Sequence, residues 1–271
     1  RIMVDMLEQY RSIFDRHLQE ILAQYNCDIQ PIAEALKYGI SNGGKRIRPI
    51  LCYMGAELCG KDVDFVKNLA VGIEMIHSYS LVHDDLPCMD DDSLRRGKPT
   101  MHIVYGEGMA VLAGDALLNC AFEVMLGDGN FDSDMRKAMV YIAKNTGING
   151  MIGGQCLDLA NETKSDFGLK ELTLLNSLKT SCLIKCALVG SVIRCGASKE
   201  QIKAAEVFSE NIGQIFQLVD DILDRTSSSQ QLGKDVNRDA ANGKKSIVDI
   251  IGMESALNYI DKLEKQAIEE I

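Results

Sequence analysis

The sequence predicts an all-α protein, and three observations carry that prediction. The four prolines end at Pro99, so the chain runs on to Ile271 without another. Proline costs about 3 kcal/mol inside a helix, and a proline-free stretch therefore permits long helices. Apolar residues also recur at helical spacing along the chain. Strict alternation and runs of aromatic or β-branched residues, the marks of strands, are scarce.

The elements follow in chain order. Over 65–85, Phe65, Leu69, Ile73 and Ile76 fall at i, i+4, i+8 and i+11 and mark one helix face. Over 171–196 apolar residues are so frequent that the helix should be buried on most sides. Over 204–224, Val207, Ile215, Leu218 and Ile222 fit a single stripe. Glycines punctuate the ends, at Gly43–Gly44, Gly60, Gly127, Gly129, Gly168, Gly196 and Gly233. No Ser/Gly/Pro-rich linker separates two halves, so 1–271 reads as a single domain.

Composition narrows the class. The chain has 271 residues, 46% apolar and 25% charged, which allows a sizeable core. A net charge of -10 disfavours a nucleic-acid binder, which needs a basic face to displace counterions from phosphates. It leaves a phosphate ligand open, because local cations or a bound metal can reverse the local sign. Nine cysteines, an odd number with no CxxC, suit reduced thiols in a cytoplasmic protein rather than a disulfide framework or zinc site. The first residues lack the apolar core of a signal peptide, and no uninterrupted run reads as long enough to span a membrane. The start lacks a Met and the tail "NYIDKLEKQAIEEI" stops early, so the ends read as trimmed.

Two acidic motifs carry the chemistry. Asp84 and Asp85 follow "YSLV" in a largely apolar helix, and "FQLVDDILD" repeats the situation with Asp220, Asp221 and Asp224. Carboxylates on apolar helices need a partner. Asp220 and Asp224 are i, i+4 and share a face. Asp84 and Asp90 are six apart, about 240° on a straight helix at about 100° per residue, and could not chelate together there. Pro87 lies between them, and a bend at "LPCM" could return Asp90 to Asp84. Neither motif has the Gly and Glu positions of an EF-hand, and "DGNFDSDMRKAM" departs from that pattern too. Carboxylates without His or thiolate suit a hard cation, Mg²⁺ before others, which is usually held by one or two carboxylates plus substrate phosphates. Basic residues stand ready for such phosphates: Lys45, Arg46 and Arg48 in "GGKRIRP", Arg95, Arg96 and Lys98 in "LRRGKPT", then Lys234 and Lys244–Lys245.

"GGKRIRP", "DDLPCMDDDSLRRGKPT", "GGQCLD", "LKTSCLI" and "FQLVDDILD" occur in this order along nearly the whole chain. Together they resemble the trans-isoprenyl diphosphate synthases, most nearly the bacterial-type farnesyl diphosphate synthases. The resemblance implies helices surrounding a central cavity, usually in a homodimer. It implies Mg²⁺-dependent head-to-tail condensation of isopentenyl diphosphate with an allylic diphosphate, dimethylallyl or geranyl, with three Mg²⁺ in a substrate-loaded site. By similarity, Asp84 and Asp90 ligate metal from one wall and Asp220 from the other. Asp85, Asp221 and Asp224 are ligands or acceptors behind them. Lys45, Arg48, His77 and Arg96 match positions for isopentenyl diphosphate. Arg95, Lys179, Lys234 and Lys244 match those gripping the allylic diphosphate. Thr180 and Gln217 would face the allylic cation.

Tyr79, five residues before Asp84, matches the aromatic that floors the product cavity in the farnesyl type, so a fifteen-carbon product is expected. The family's C-terminal end helps close the site, which leaves the activity of a chain ending at Ile271 open. A geranyl or geranylgeranyl diphosphate synthase is the near alternative. A non-catalytic subunit that binds prenyl diphosphates is the alternative from another class. Other residues read more plainly. His83 is expected to be structural, Cys182 and Cys186 core, and Gln155 and Asp158 either packing or support for the site. "DRTSSSQQLGKD" reads as a mobile lid.

Overall fold

A computed structural model describes residues 2–25, 28–41, 43–163, 167–226 and 245–269. The structure is all-α. Its contacts gather into two compact units, Arg1–Arg136 and Lys137–Ile271, where the sequence predicts one domain. Each unit is described by itself.

The first unit holds α1 (Ile2–Leu22), α2 (Gln30–Ser41), α3 (Ile47–Leu58), a 3₁₀ turn (Val63–Val66) and α4 (Lys67–Asp84). The strands β1 (Leu94–Arg95) and β2 (Lys98–Pro99), α5 (Met101–Tyr105) and α6 (Glu107–Leu126) follow, then the first residues of α7 (Ser133–Thr146). Helix α4 is the hub, packed by α1, α2, α3 and α6. Its predicted face is the buried one: Leu69, Ile73 and Ile76 are inaccessible or nearly so. At Gly72 the neighbouring helix comes so near that a Cβ would stand 2.7 Å from the Met125 side chain and 3.0 Å from the Ala121 carbonyl of α6. The 3₁₀ turn starts where the Asp62 side chain accepts from the Asp64 amide at 2.8 Å. Buried His17 ties α1 to α3 and to this turn, accepting from Tyr53 Oη at Nδ1 (2.9 Å) and donating from Nε2 to Asp64 (2.8 Å).

The second unit continues α7 and adds α8 (Met151–Thr163), α9 (Leu169–Asn176), a π turn (Ser177–Ser181), α10 (Cys182–Arg194) and α11 (Lys199–Thr226). It closes with α12 (Ile247–Ile251) and α13 (Met253–Glu269). The segment predicted as one helix over 171–196 is one helical stretch, Leu169–Arg194, widened in its middle by the π turn. As predicted, α10 is buried on nearly all sides, Cys182 and Cys186 included. Helix α11 packs on α10, the π turn and α13. Leu218 of its predicted stripe is fully buried in a cluster with Phe167, Leu172, Ile247 and Leu263, while Ile215 and Ile222 lie half-buried against it.

Two findings depart from the sequence reading. Two helical stretches, Glu107–Leu126 and Leu169–Arg194, are long and apolar enough to cross a membrane by length and composition, where no such run was expected. Both bury much of that surface in the fold, as the core helices of soluble proteins also do. The second departure is the short hairpin, with Leu94 paired to Pro99 and Arg95 to Lys98. Its central residues Arg96 and Gly97 have φ of 54° and 75°, the signature of a type I′ turn, which suits the right-handed strand twist.

Candidate functional site

In the first unit the acidic motif begins where α4 ends. The helix stops at Asp84, and the chain turns through Leu86 and Pro87. The Asp90 amide then donates to the Asp84 carbonyl at 2.8 Å, and the Asp92 amide to the Asp85 carbonyl at 3.1 Å. The bend expected at Pro87 therefore exists, and it returns Asp90 to Asp84. A residue without an amide hydrogen stops the helix there, and Asp91 completes the turn in the left-handed region, φ 52°.

Asp85 is engaged otherwise. Arg95 Nε donates to both of its oxygens at 2.8 and 2.9 Å, and Arg95 Nη2 stands 2.6 Å from Oδ1. Burial pushes the Asp85 carboxyl up, and the Arg95 guanidinium opposes that shift. Of the two roles the resemblance implies for Asp85, this geometry favours an acceptor that orients Arg95. The pair joins the acidic motif to the hairpin, which explains why opposite charges follow one another at once in the sequence.

The other cations gather around "GGKRIRP". Lys45 is exposed just before α3. Arg48 donates from Nη1 to His77 Nε2 at 3.2 Å. Burial, then the nearby Arg48, holds the His77 imidazole well below the usual histidine range, so it is neutral and accepts from Arg48. His77 is two helical turns before Asp84 and on about the same face. Arg96 reaches back to the Gly43 carbonyl. At Gly44, φ +123°, a Cβ would lie 2.4 Å from Arg96 Nη1 and 2.5 Å from its Cζ. Both the backbone and the guanidinium therefore need glycine there. Gly44→Ala is expected to displace Arg96 and, if Arg96 holds isopentenyl diphosphate as the resemblance implies, to raise the Michaelis constant for it by roughly tenfold. Steady-state kinetics on a folded variant would check this, and an unchanged constant would detach Arg96 from substrate. Arg46, grouped above with the phosphate-binding cations, is instead buried against Glu74 at 2.7 Å.

Tyr79 is buried on α4, its ring edge-on to His83 at 5.8 Å between centroids. His83 in turn donates from Nε2 to the Val111 carbonyl of α6 at 3.0 Å. Gly114 makes room, since a Cβ there would stand 2.0 Å from the His83 ring. His83 is therefore a helix-packing residue, as expected.

In the second unit Lys179 and Thr180 both sit in the π turn. Such turns widen a helix by one residue and re-aim its side chains. Lys179 Nζ bonds Asp158 Oδ2 at 2.6 Å. Asp158 and Gly154 share one face of α8 at i, i+4, and a Cβ at Gly154 would lie 2.4 Å from the Lys179 amide nitrogen. The "GGQCLD" motif is thus explained: glycine lets α8 press on the turn, and the aspartate one helical turn on meets the lysine. Thr180 Oγ1 donates to Gln217 Oε1 at 3.0 Å, and Gln217 Nε2 donates to Asp221 Oδ1 at 2.9 Å. One amide therefore links the π turn to the second acidic motif. Asp220, Asp221 and Asp224 all lie partly accessible in the last turns of α11. After α11, the Lys245 carbonyl accepts from Asn161 Nδ2 at 3.0 Å. The first three residues of the stretch read as a lid, Asp224, Arg225 and Thr226, are the end of α11, and the rest of it, with Lys234 and Lys244, lies outside the described residues.

A metal fits the donor set chemically. Asp84 and Asp90 in the first unit, and Asp220 and Asp224 in the second, each offer only hard oxygen, which suits Mg²⁺. Among the described residues, no three His, Cys, Asp or Glu side chains already converge on one point.

The chain matches the polyprenyl synthetase family over residues 29–270. It is 44% identical over 245 residues to geranylgeranyl pyrophosphate synthase 9, chloroplastic, of Arabidopsis thaliana, covering 89% of this chain and 68% of that protein. Among solved structures it is similar to an apo FPP/GFPP synthase from Zymomonas mobilis, with a TM-score of 0.84 and 31% identity over 97% of this chain and 92% of that one. It is also similar to a geranyltransferase from Helicobacter pylori, solved in complex with magnesium and isoprenyl diphosphate. There the TM-score is 0.82 and the identity 32%, over 96% of this chain and 89% of that one.

Proposed function

The chain belongs to the polyprenyl synthetase family of prenyltransferases, and from that premise we propose that it condenses isopentenyl diphosphate with an allylic diphosphate, using Mg²⁺, to a fifteen-carbon product. The observation that carries the chemistry is the bend at Pro87, which returns Asp90 to Asp84 at the end of α4.

Asp84 and Asp90 in the first unit, and Asp220 and Asp224 in the second, are the residues that would hold Mg²⁺. When bound, the ion neutralises the charge that builds on a departing diphosphate. The chain's own residues do the rest. Lys45, Arg48 and Arg96 hold the diphosphate of isopentenyl diphosphate. Neutral His77 adds no charge there and keeps the Arg48 fork aimed. Arg95, steadied by Asp85, and Lys179, steadied by Asp158, grip the allylic diphosphate. Such preset charges cost no reorganisation when the allylic C–O bond breaks. The Thr180 hydroxyl and the Gln217 carbonyl place oxygen dipoles beside the allylic cation. The isopentenyl double bond attacks that cation, and the proton lost afterwards goes to the released diphosphate. No side-chain nucleophile is required. Two copies would pair through apolar side chains exposed on α5 and α6, among them Ile103, Val104 and Leu112.

Product length rests on Tyr79, buried about 7.5 Å along α4 from Asp84. The name of the Arabidopsis relative favours a second reading, a twenty-carbon product. The deciding experiment incubates the protein with labelled isopentenyl diphosphate and dimethylallyl or geranyl diphosphate, with Mg²⁺ or EDTA, and resolves chain lengths. The expected result is farnesyl diphosphate, formed only with metal. A twenty-carbon product would keep the mechanism and transfer the length limit to another residue. Absence of product, with diphosphate still bound, would favour a non-catalytic subunit.

A further inference from the structure

Arg46 stands between two cations assigned to substrate, yet it faces away from solvent. It is 5% exposed, and its partner Glu74 is 2% exposed. The guanidinium is held from three sides. Nη1 donates to Glu74 Oε1 of α4 at 2.7 Å, and Nη2 donates to the Ile40 carbonyl of α2 at 2.9 Å. Cζ lies 5.3 Å from the centre of the Phe14 ring of α1, and Asp15 Oδ1 is 3.9 Å from Nε. The backbone at Arg46 is left-handed, φ 52° and ψ 33°, a conformation that costs a non-glycine residue roughly 1–2 kcal/mol. The side-chain bonds are what hold it there. One turn further on α4, at i, i+3 from Glu74, His77 receives Arg48. The loop is thus stapled twice to the helix that carries the first acidic motif, through alternate residues, while Lys45 stays exposed beside the first staple.

We infer that Arg46 and Glu74 are a positioning pair: their buried ion pair fixes the left-handed turn that aims Lys45 and Arg48 at the diphosphate of isopentenyl diphosphate. Neither residue touches substrate. The inference rests on the function proposed above and adds a specific consequence. Loosening the pair weakens isopentenyl diphosphate and spares the allylic diphosphate, whose cations Arg95 and Lys179 are held by Asp85 and Asp158 instead.

The test is the double variant R46M/E74M, because replacing a buried ion pair by apolar residues of similar volume is often neutral or stabilising, whereas removing one partner strands a buried charge. Wild type is measured first. If it forms no product, the functional reading itself fails, and the pair is not the cause. With an active wild type, the double variant is expected to melt at or above the wild-type temperature. Its Michaelis constant for isopentenyl diphosphate should rise roughly tenfold or more, and that for geranyl diphosphate should stay within about twofold. A folded double variant with both constants unchanged overturns the inference. So does an equal rise in both, which is what general loosening would produce. If the double variant does not fold, Glu74→Gln takes its place, since it keeps the shape and an acceptor for Nη1. It should show the same split at smaller size, and no split overturns the inference.

Discussion

Asp84→Asn is expected to slow condensation about a thousandfold, the scale of losing one preorganised charge partner at a developing anion. The same variant is expected to melt close to wild type, because relief of the helix-terminus penalty offsets the lost attraction between Asp84 and Arg95. Asp84 is buried at the last residue of α4, and a helix C-terminus carries partial negative charge, so a carboxylate there is disfavoured by about 0.3–1 kcal/mol. Asparagine keeps the shape and removes the charge. The backbone bond that returns Asp90 uses the Asp84 carbonyl, which the substitution leaves in place. Turnover at saturating Mg²⁺, with a thermal melt followed by circular dichroism, reads both effects at once. Activity within about tenfold of wild type would remove Asp84 from the metal site.

On the proposed fifteen-carbon reading, Tyr79→Ala is expected to move the main product to twenty carbons or more. The ring is buried and makes its edge-on contact with His83, so truncation empties a space of aromatic size. Removing a buried aromatic costs about 3–5 kcal/mol, and a lowered melting temperature should accompany the change. The two readouts separate two roles. If Tyr79 floors the cavity, the folded enzyme makes longer chains. If it only packs α4 against its surroundings, stability falls and product length does not change.

The long helices were legible because their apolar spacing and lack of proline admit few alternatives. Leu69, Ile73 and Ile76 mark the buried face of α4, and Leu218 that of α11. The bend between Asp84 and Asp90 was legible for a different reason: one proline placed where a straight helix would set two carboxylates on opposite sides. The π turn was not legible. "LNSLKTSCLI" has ordinary helical composition, and the widening arises where Gly154 lets α8 press on Lys179. The hairpin was missed because two-residue strands are too short to show alternation, and arginine is an unusual occupant of a type I′ turn. The Asp158–Lys179 and Arg46–Glu74 pairs join residues 21 and 28 positions apart. A charge in sequence does not reveal whether its partner will be substrate or protein, and Arg46 was misread for that reason.

Among the described residues, Arg46, Asp91 and Arg96 are the non-glycine residues with positive φ. All three lie in the loops that carry the charged motifs. Glycine at Asp91 or Arg96 would relax the backbone, so there tolerance of heat and catalytic competence pull in opposite directions, whereas at Arg46 it would also strand the buried Glu74. A laboratory selection for heat resistance alone would drift toward glycine at Asp91 and Arg96 but keep Arg46, and the survivors would be sturdier proteins with poorer turnover.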